Sequence, residues 1–217
     1  MFRILRDPVG RLPIGAQRAL CLFPALPLLW ETDLTPILWL GSTAAVLWLS
    51  RSARESVFQM IYKSWPITLA IGIALGTFVG LVVNPVLDSF SEWLTGTDID
   101  LSQFASVQGD GGAYLELLIV AILFGGIVEE VAFRGFFIGW GTRLFGMKLA
   151  VPLLLLSSIA FGIGHLYQDL AGGVSTGLFA LIMGGLYLLF DRKLLPVILI
   201  HAVSNFCGVT EIFLNGV

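Results

Sequence analysis

The chain has 217 residues, 57% of them hydrophobic and 12% charged, with a mean hydropathy of +0.91 and a formal net charge of -3. That few polar side chains cannot cover a water-soluble globule of this size, so composition excludes a soluble domain and reads as an integral membrane protein. The small net charge names no partner, because in a membrane protein the distribution of Lys and Arg among the loops matters more than their sum, and nothing in the chain points to nucleic acid.

The N-terminus carries Arg3, Arg6, Arg11 and Arg18 ahead of an apolar run at 19 to 30 that Pro24 and Pro27 interrupt. No small-residue cleavage site follows, so this run reads as a retained anchor. Further apolar segments lie at 34 to 50, 65 to 83, 113 to 143, 149 to 166, 173 to 190 and 195 to 214. A span needs roughly 20 apolar residues, which leaves the first run as a half-helix or an interfacial segment. The expectation is an all-α, polytopic transmembrane bundle of six to seven membrane helices. Strands are not expected, since an open sheet edge is unsatisfied in lipid and the alternation of a barrel is absent. With no repeat and no linker, residues 1–217 read as one domain: N-terminal membrane helices over 1–84 and a core over 85–217. Cys21 and Cys207 are far apart in apolar surroundings and read as small core residues rather than a disulfide or metal site.

Basic residues fall at the N-terminus, at Arg51, Arg54 and Lys63, at Arg143 and Lys148, and at Arg192 and Lys193. With seven crossings these loops share one side, which the positive-inside rule makes cytoplasmic. The segment 84 to 112 holds Asp88, Glu92, Asp98, Asp100 and Asp110 with no Lys or Arg, and is expected opposite. Its acidic residues and Gly109, Gly111 and Gly112 predict a solvated loop with a short amphipathic piece over 88 to 112.

Against this background the polar residues inside apolar runs stand out. An ionised side chain at mid-bilayer costs about 2.5–3.5 kcal/mol on the lenient insertion scale, so such groups face one another or a wet cavity. The chain's two histidines, His165 and His201, and the adjacent Glu129 and Glu130 all lie in such runs. If Phe145, Gly146 and Met147 form a tight turn, Glu129 and His165 differ in depth by only ~4–5 Å. His201 and Asn205 are four apart and share a helix face. Glu130 precedes Arg134 by four, the favourable order for an ion pair on one face, while Glu129 points about 100° away and is left free to act as a base.

The segments Glu129-Glu130-Val-Ala-Phe-Arg134, Phe161-Gly-Ile-Gly-His165 and His201-Ala-Val-Ser-Asn205 resemble, in order, the EExxxR, FxxxH and HxxxN signatures of the CPBP family of intramembrane proteases, also called the Abi or CAAX-protease family. The resemblance covers about residues 85–217, with His165-Leu-Tyr-Gln after the second motif; residues 1–84 resemble no named family. It implies hydrolysis of a peptide bond in or near the membrane. Eukaryotic members trim prenylated CAAX proteins, and bacterial relatives are linked to bacteriocin maturation or immunity and to processing of C-terminal sorting tags. The partners so implied are a peptide or protein substrate, membrane-anchored or lipidated, and membrane lipid, with the chain in a bacterial inner membrane. Carried over by position, Glu129 with His165 activates water, His201 and Asn205 stabilise the oxyanion, and Glu130, Arg134 and Phe161 support them.

The chemistry agrees with that assignment. Amide hydrolysis needs a base for the water proton and fixed donors for the oxyanion, and losing one donor commonly costs about 10²–10³ in rate. No serine or cysteine nucleophile is required: Cys207, Ser157 and Ser158 have no evident base partner. Phe161, one turn before His165, is most simply a packing residue that orients the ring. The glycines at 125 and 126, 162 and 164, and 184 and 185 read as close helix approaches. Glu129, His165 and His201 are also a ligand set that zinc accepts, yet no HExxH helix is present and the resemblance favours a metal-free, glutamate-type mechanism. Two other classes use the same residues differently: a proton-coupled transporter with Glu129, His165 and His201 as a relay, and a non-catalytic bacteriocin-immunity protein.

Overall fold

A computed structural model of the chain describes residues 7–29 and 34–217; Arg3, Arg6 and Trp30, the last residue of the first apolar run, lie outside them. Every described element is helical: α1 (Ile14–Leu22), α2 (Thr35–Leu49), α3 (Arg51–Val57), α4 (Trp65–Thr95), α5 (Gly111–Phe145), α6 (Ala150–Ile163), α7 (Asp169–Leu189) and α8 (Leu194–Asn215). Helices satisfy their own backbone groups, which is what apolar sequence in lipid demands.

Four stretches are long and apolar enough to cross a membrane: Trp65–Thr95, Gly111–Phe145, Leu166–Leu189 and Leu194–Asn215. Ile37–Leu49 and Met147–Ile163 are apolar but shorter. Of the six to seven expected spans, four therefore have the required length and composition. The first apolar run ends its helix at Leu22 and continues as a tighter 3₁₀ stretch, Phe23–Leu29, with Pro27 inside it.

The largest departure from expectation is α4, whose apolar run was read as ending at 83. It continues through Pro85 to Thr95, and Gly96 closes it at φ 71. A proline removes one amide donor and its ring crowds the carbonyl four residues earlier. Here a wide-turn π stretch, Val79–Val83, precedes the proline and shifts the ladder before it. Asp88 and Glu92 consequently lie on a helix rather than in a solvated loop. Asp110, also read as loop, caps α5 by accepting from the amides of Gly112 and Ala113.

Small residues set how closely the helices approach. A Cβ built on Gly72, Gly76 or Gly80 of α4 would come within 2.4 Å, 2.6 Å and 2.8 Å of Leu199, Val203 and Cys207 of α8. α8 thus lies in a groove of α4, with Cys207 seated on Gly80. Gly126 of α5 likewise meets Ala202 of α8, and Gly162 of α6 meets the Gly173 carbonyl of α7, whereas Gly185 has open space beside it.

The loops sort by charge. At one end Arg18 donates to the Leu144 carbonyl, Arg143 lies 3.6 Å from Glu55, Arg192 donates to Thr142 and Lys193 to Gln59. A hydrogen bond from Arg51, 2.7 Å away, holds the exposed Glu55 carboxyl below the usual carboxylate range. The acidic segment is tied to other loops: the Asp100 amide donates to Gln168 and that of Gly109 to Phe213.

Candidate active site

The middle of α5 is a π-type stretch, Ala121–Trp140, that contains the whole Glu-Glu-Val-Ala-Phe-Arg motif. Glu130 and Arg134 are buried at 0% and 1% exposure, with Oε1 2.9 Å from Nη1. The angle makes this an ion pair rather than a directed hydrogen bond. Arg134 Nη2 donates to the Ala180 carbonyl at 3.2 Å, and its guanidinium lies 5.0 Å from the centre of the Phe161 ring. His201 Nδ1 also meets Glu130 Oε1, at 2.8 Å. A carboxylate accepts, so Nδ1 carries the proton and donates across from α8 to α5. Helix spacing predicted the first of these contacts; the second joins two helices and no spacing rule reaches it.

His165 stands at a helix end, not inside one, because α6 stops at Ile163 and the chain turns. Its Nδ1 donates to the Phe161 carbonyl at 2.8 Å, and its ring stacks on Phe161 at 4.5 Å between centroids and 20° between planes. A carbonyl oxygen only accepts, which assigns the proton to Nδ1 and leaves Nε2 as the available nitrogen. Phe161 is therefore both the floor under the imidazole and, through its carbonyl, the group that sets the tautomer.

Glu129, His165, His201 and Asn205 all line one cavity of about 590 Å³; Phe161 also borders it, while Glu130 and Arg134 do not. The adjacent carboxylates thus divide, Glu129 toward the cavity and Glu130 into the buried ion pair. Asn205 donates to the Ala121 carbonyl at 2.9 Å. One helix turn before Glu129 is Gly125, where a Cβ would lie 2.5 Å from Asn205 Nδ2 and 3.7 Å from His201 Nε2. The absence of a side chain there lets α5 lie close against α8 beside Asn205 Nδ2 and His201 Nε2.

The sequence reading missed the opposite wall. Asn84 and Asp88 of α4 and Ser175 and Thr176 of α7 also line the cavity. Ser175 donates to Asp88 Oδ1 at 2.5 Å, and Asn84 Nδ2 donates to Ser204 at 3.0 Å while its Oδ1 has no partner. The four-residue spacing of Asn84 and Asp88 was a usable signal, obscured because the apolar run was read as ending at 83. Among the described residues, no group of three or more His, Cys, Asp or Glu side chains is placed to hold a metal ion.

Residues 112–207 match a family model described as type II CAAX prenyl endopeptidase Rce1-like. The matched segment holds all three motifs and bears out the resemblance read from them; α4, with Asn84 and Asp88, lies outside it. No curated protein and no solved structure matches the chain.

Proposed function

We propose, for a chain whose residues 112–207 match the Rce1-like CAAX prenyl endopeptidase model, that the cavity is the active site of an intramembrane endopeptidase using a glutamate-activated water. The observation that carries this reading is the division of Glu129 from Glu130: one carboxylate faces the cavity beside both histidines and Asn205, and its neighbour is bound up in a buried ion pair.

In this mechanism a water sits between Glu129 and His165 Nε2. Glu129 takes a proton as the water oxygen bonds to the scissile carbonyl carbon. The resulting oxyanion accepts from the free N–H of Asn205 and from Nε2–H of His201. Donation from Nε2 while Nδ1 donates to Glu130 requires a protonated ring. Glu130 is the counter-charge to that ring, and Arg134 fixes Glu130 in place. Glu129 then returns its proton to the leaving nitrogen as the C–N bond breaks. In this reading Glu129, and not a metal ion, activates the water.

The test compares membrane proteomes of matched strains carrying wild type or Glu129→Gln. One precursor that accumulates uncut in the variant is the expected result; identical membrane proteomes, with both proteins present at equal level, would overturn the reading.

A further inference from the structure

The cavity has two carboxylates, and the mechanism uses only Glu129. The other, Asp88, accepts from the Ser175 hydroxyl and, among the described residues, meets no cation: no described Lys or Arg lines the cavity, and Arg134 is committed to Glu130. The sequence reinforces this, since no Lys or Arg occurs between residues 64 and 133, from 149 to 191, or after 193. A partly buried carboxylate without a counter-charge is costly unless something else supplies one. One turn earlier lies Asn84, whose carbonyl Oδ1 is buried and has no hydrogen-bond partner among the described residues. Asn84 Nδ2 is anchored on Ser204, the neighbour of Asn205 on α8. This wall is therefore tied to the helix that carries the oxyanion donors.

We propose that Asn84 and Asp88 form a specificity subsite that binds a cationic side chain, lysine or arginine, of the substrate peptide and so sets which bond lies over Glu129. The subsite rests on the reading of the cavity as a peptidase site. A guanidinium or ammonium brings several donors and the missing charge, which matches a carboxylate with a neutral acceptor one turn away. A neutral side chain would leave the Asp88 carboxylate without a counter-charge.

The experiment measures binding separately from cleavage. Glu129→Gln protein in nanodiscs is titrated with blocked, dye-labelled apolar peptides carrying a single lysine at each position in turn, and with glutamine counterparts, by fluorescence anisotropy. The expected result is that lysine at one position strengthens binding by about tenfold over glutamine. In Asp88→Asn and Asn84→Ala this preference shrinks, while in Asp88→Glu it partly survives. In protein with Glu129 intact, Asp88→Asn should raise KM for the lysine peptide more than for the glutamine peptide. Equal binding of both series at every position, or a lysine preference that persists in an Asp88→Asn protein with wild-type thermal unfolding, would overturn the subsite. If the preference appears but the Glu129 protein cuts no peptide, the peptidase reading fails and the cation subsite stands.

Discussion

His201 of α8 donates Nδ1–H to Glu130 of α5 across 2.8 Å, and Arg134 lies 2.9 Å from the same oxygen, so a single buried carboxylate oxygen ties two helices together. The residue beside it, Glu129, is free to face the cavity because Glu130 carries that structural role.

Removing either member of the buried pair should cost stability as well as activity. Glu130→Ala strands Arg134, and Arg134→Ala strands Glu130; breaking a buried pair on one side typically costs about 3–5 kcal/mol. Thermal unfolding in detergent should show both variants melting well below wild type. Melting temperatures equal to wild type would count against this role.

Glu129 and His165 should separate from that pair. Glu129→Gln keeps shape and removes the base, and His165→Ala removes the second group on the water. Both should abolish cleavage with folded yield near wild type, checked by size-exclusion recovery alongside precursor accumulation. Full cleavage by purified Glu129→Gln protein would reject the assignment.

Two glycines offer a paired test of the α5–α8 contact. A Cβ on Gly125 would lie 2.5 Å from Asn205 Nδ2, whereas Gly185 has nothing within 4 Å. Forcing atoms into such a packed contact typically costs about 1–3 kcal/mol. Gly125→Ala should therefore cut kcat on the order of the 10²–10³ lost with one oxyanion donor, while Gly185→Ala should leave turnover and melting unchanged. Undiminished turnover in Gly125→Ala would show that Asn205 need not hold its position.

Chelation checks the metal-free mechanism. Cleavage by purified protein should survive prolonged dialysis against 1,10-phenanthroline, since in the proposed mechanism Glu129 and not a metal ion activates the water. Loss of activity that zinc restores would return Glu129, His165 and His201 to the role of metal ligands.

Much of this was legible in the chain because helices obey local rules. Apolar runs predicted helices at most of the right places, since a backbone in lipid has to satisfy itself. Four-residue spacing predicted the Glu130 and Arg134 pair and the shared face of His201 and Asn205. The same rules failed after residue 83, where the apolar run was read as ending and Asp88 was placed in a largely solvated segment; the helix instead continues through Pro85 to Thr95, and Asp88 lines the cavity.

Composition and periodicity thus account for a membrane-embedded helical chain and for which residues share a face within each helix. They could not reach the bond between Glu130 and His201, 71 positions apart, nor the wall formed by Asn84 and Asp88 opposite Glu129. Such contacts depend on how far each helix is rotated and slid against its neighbour. Here that is governed by where glycines let α4 and α5 close on α8, a relation among distant segments that no local spacing contains.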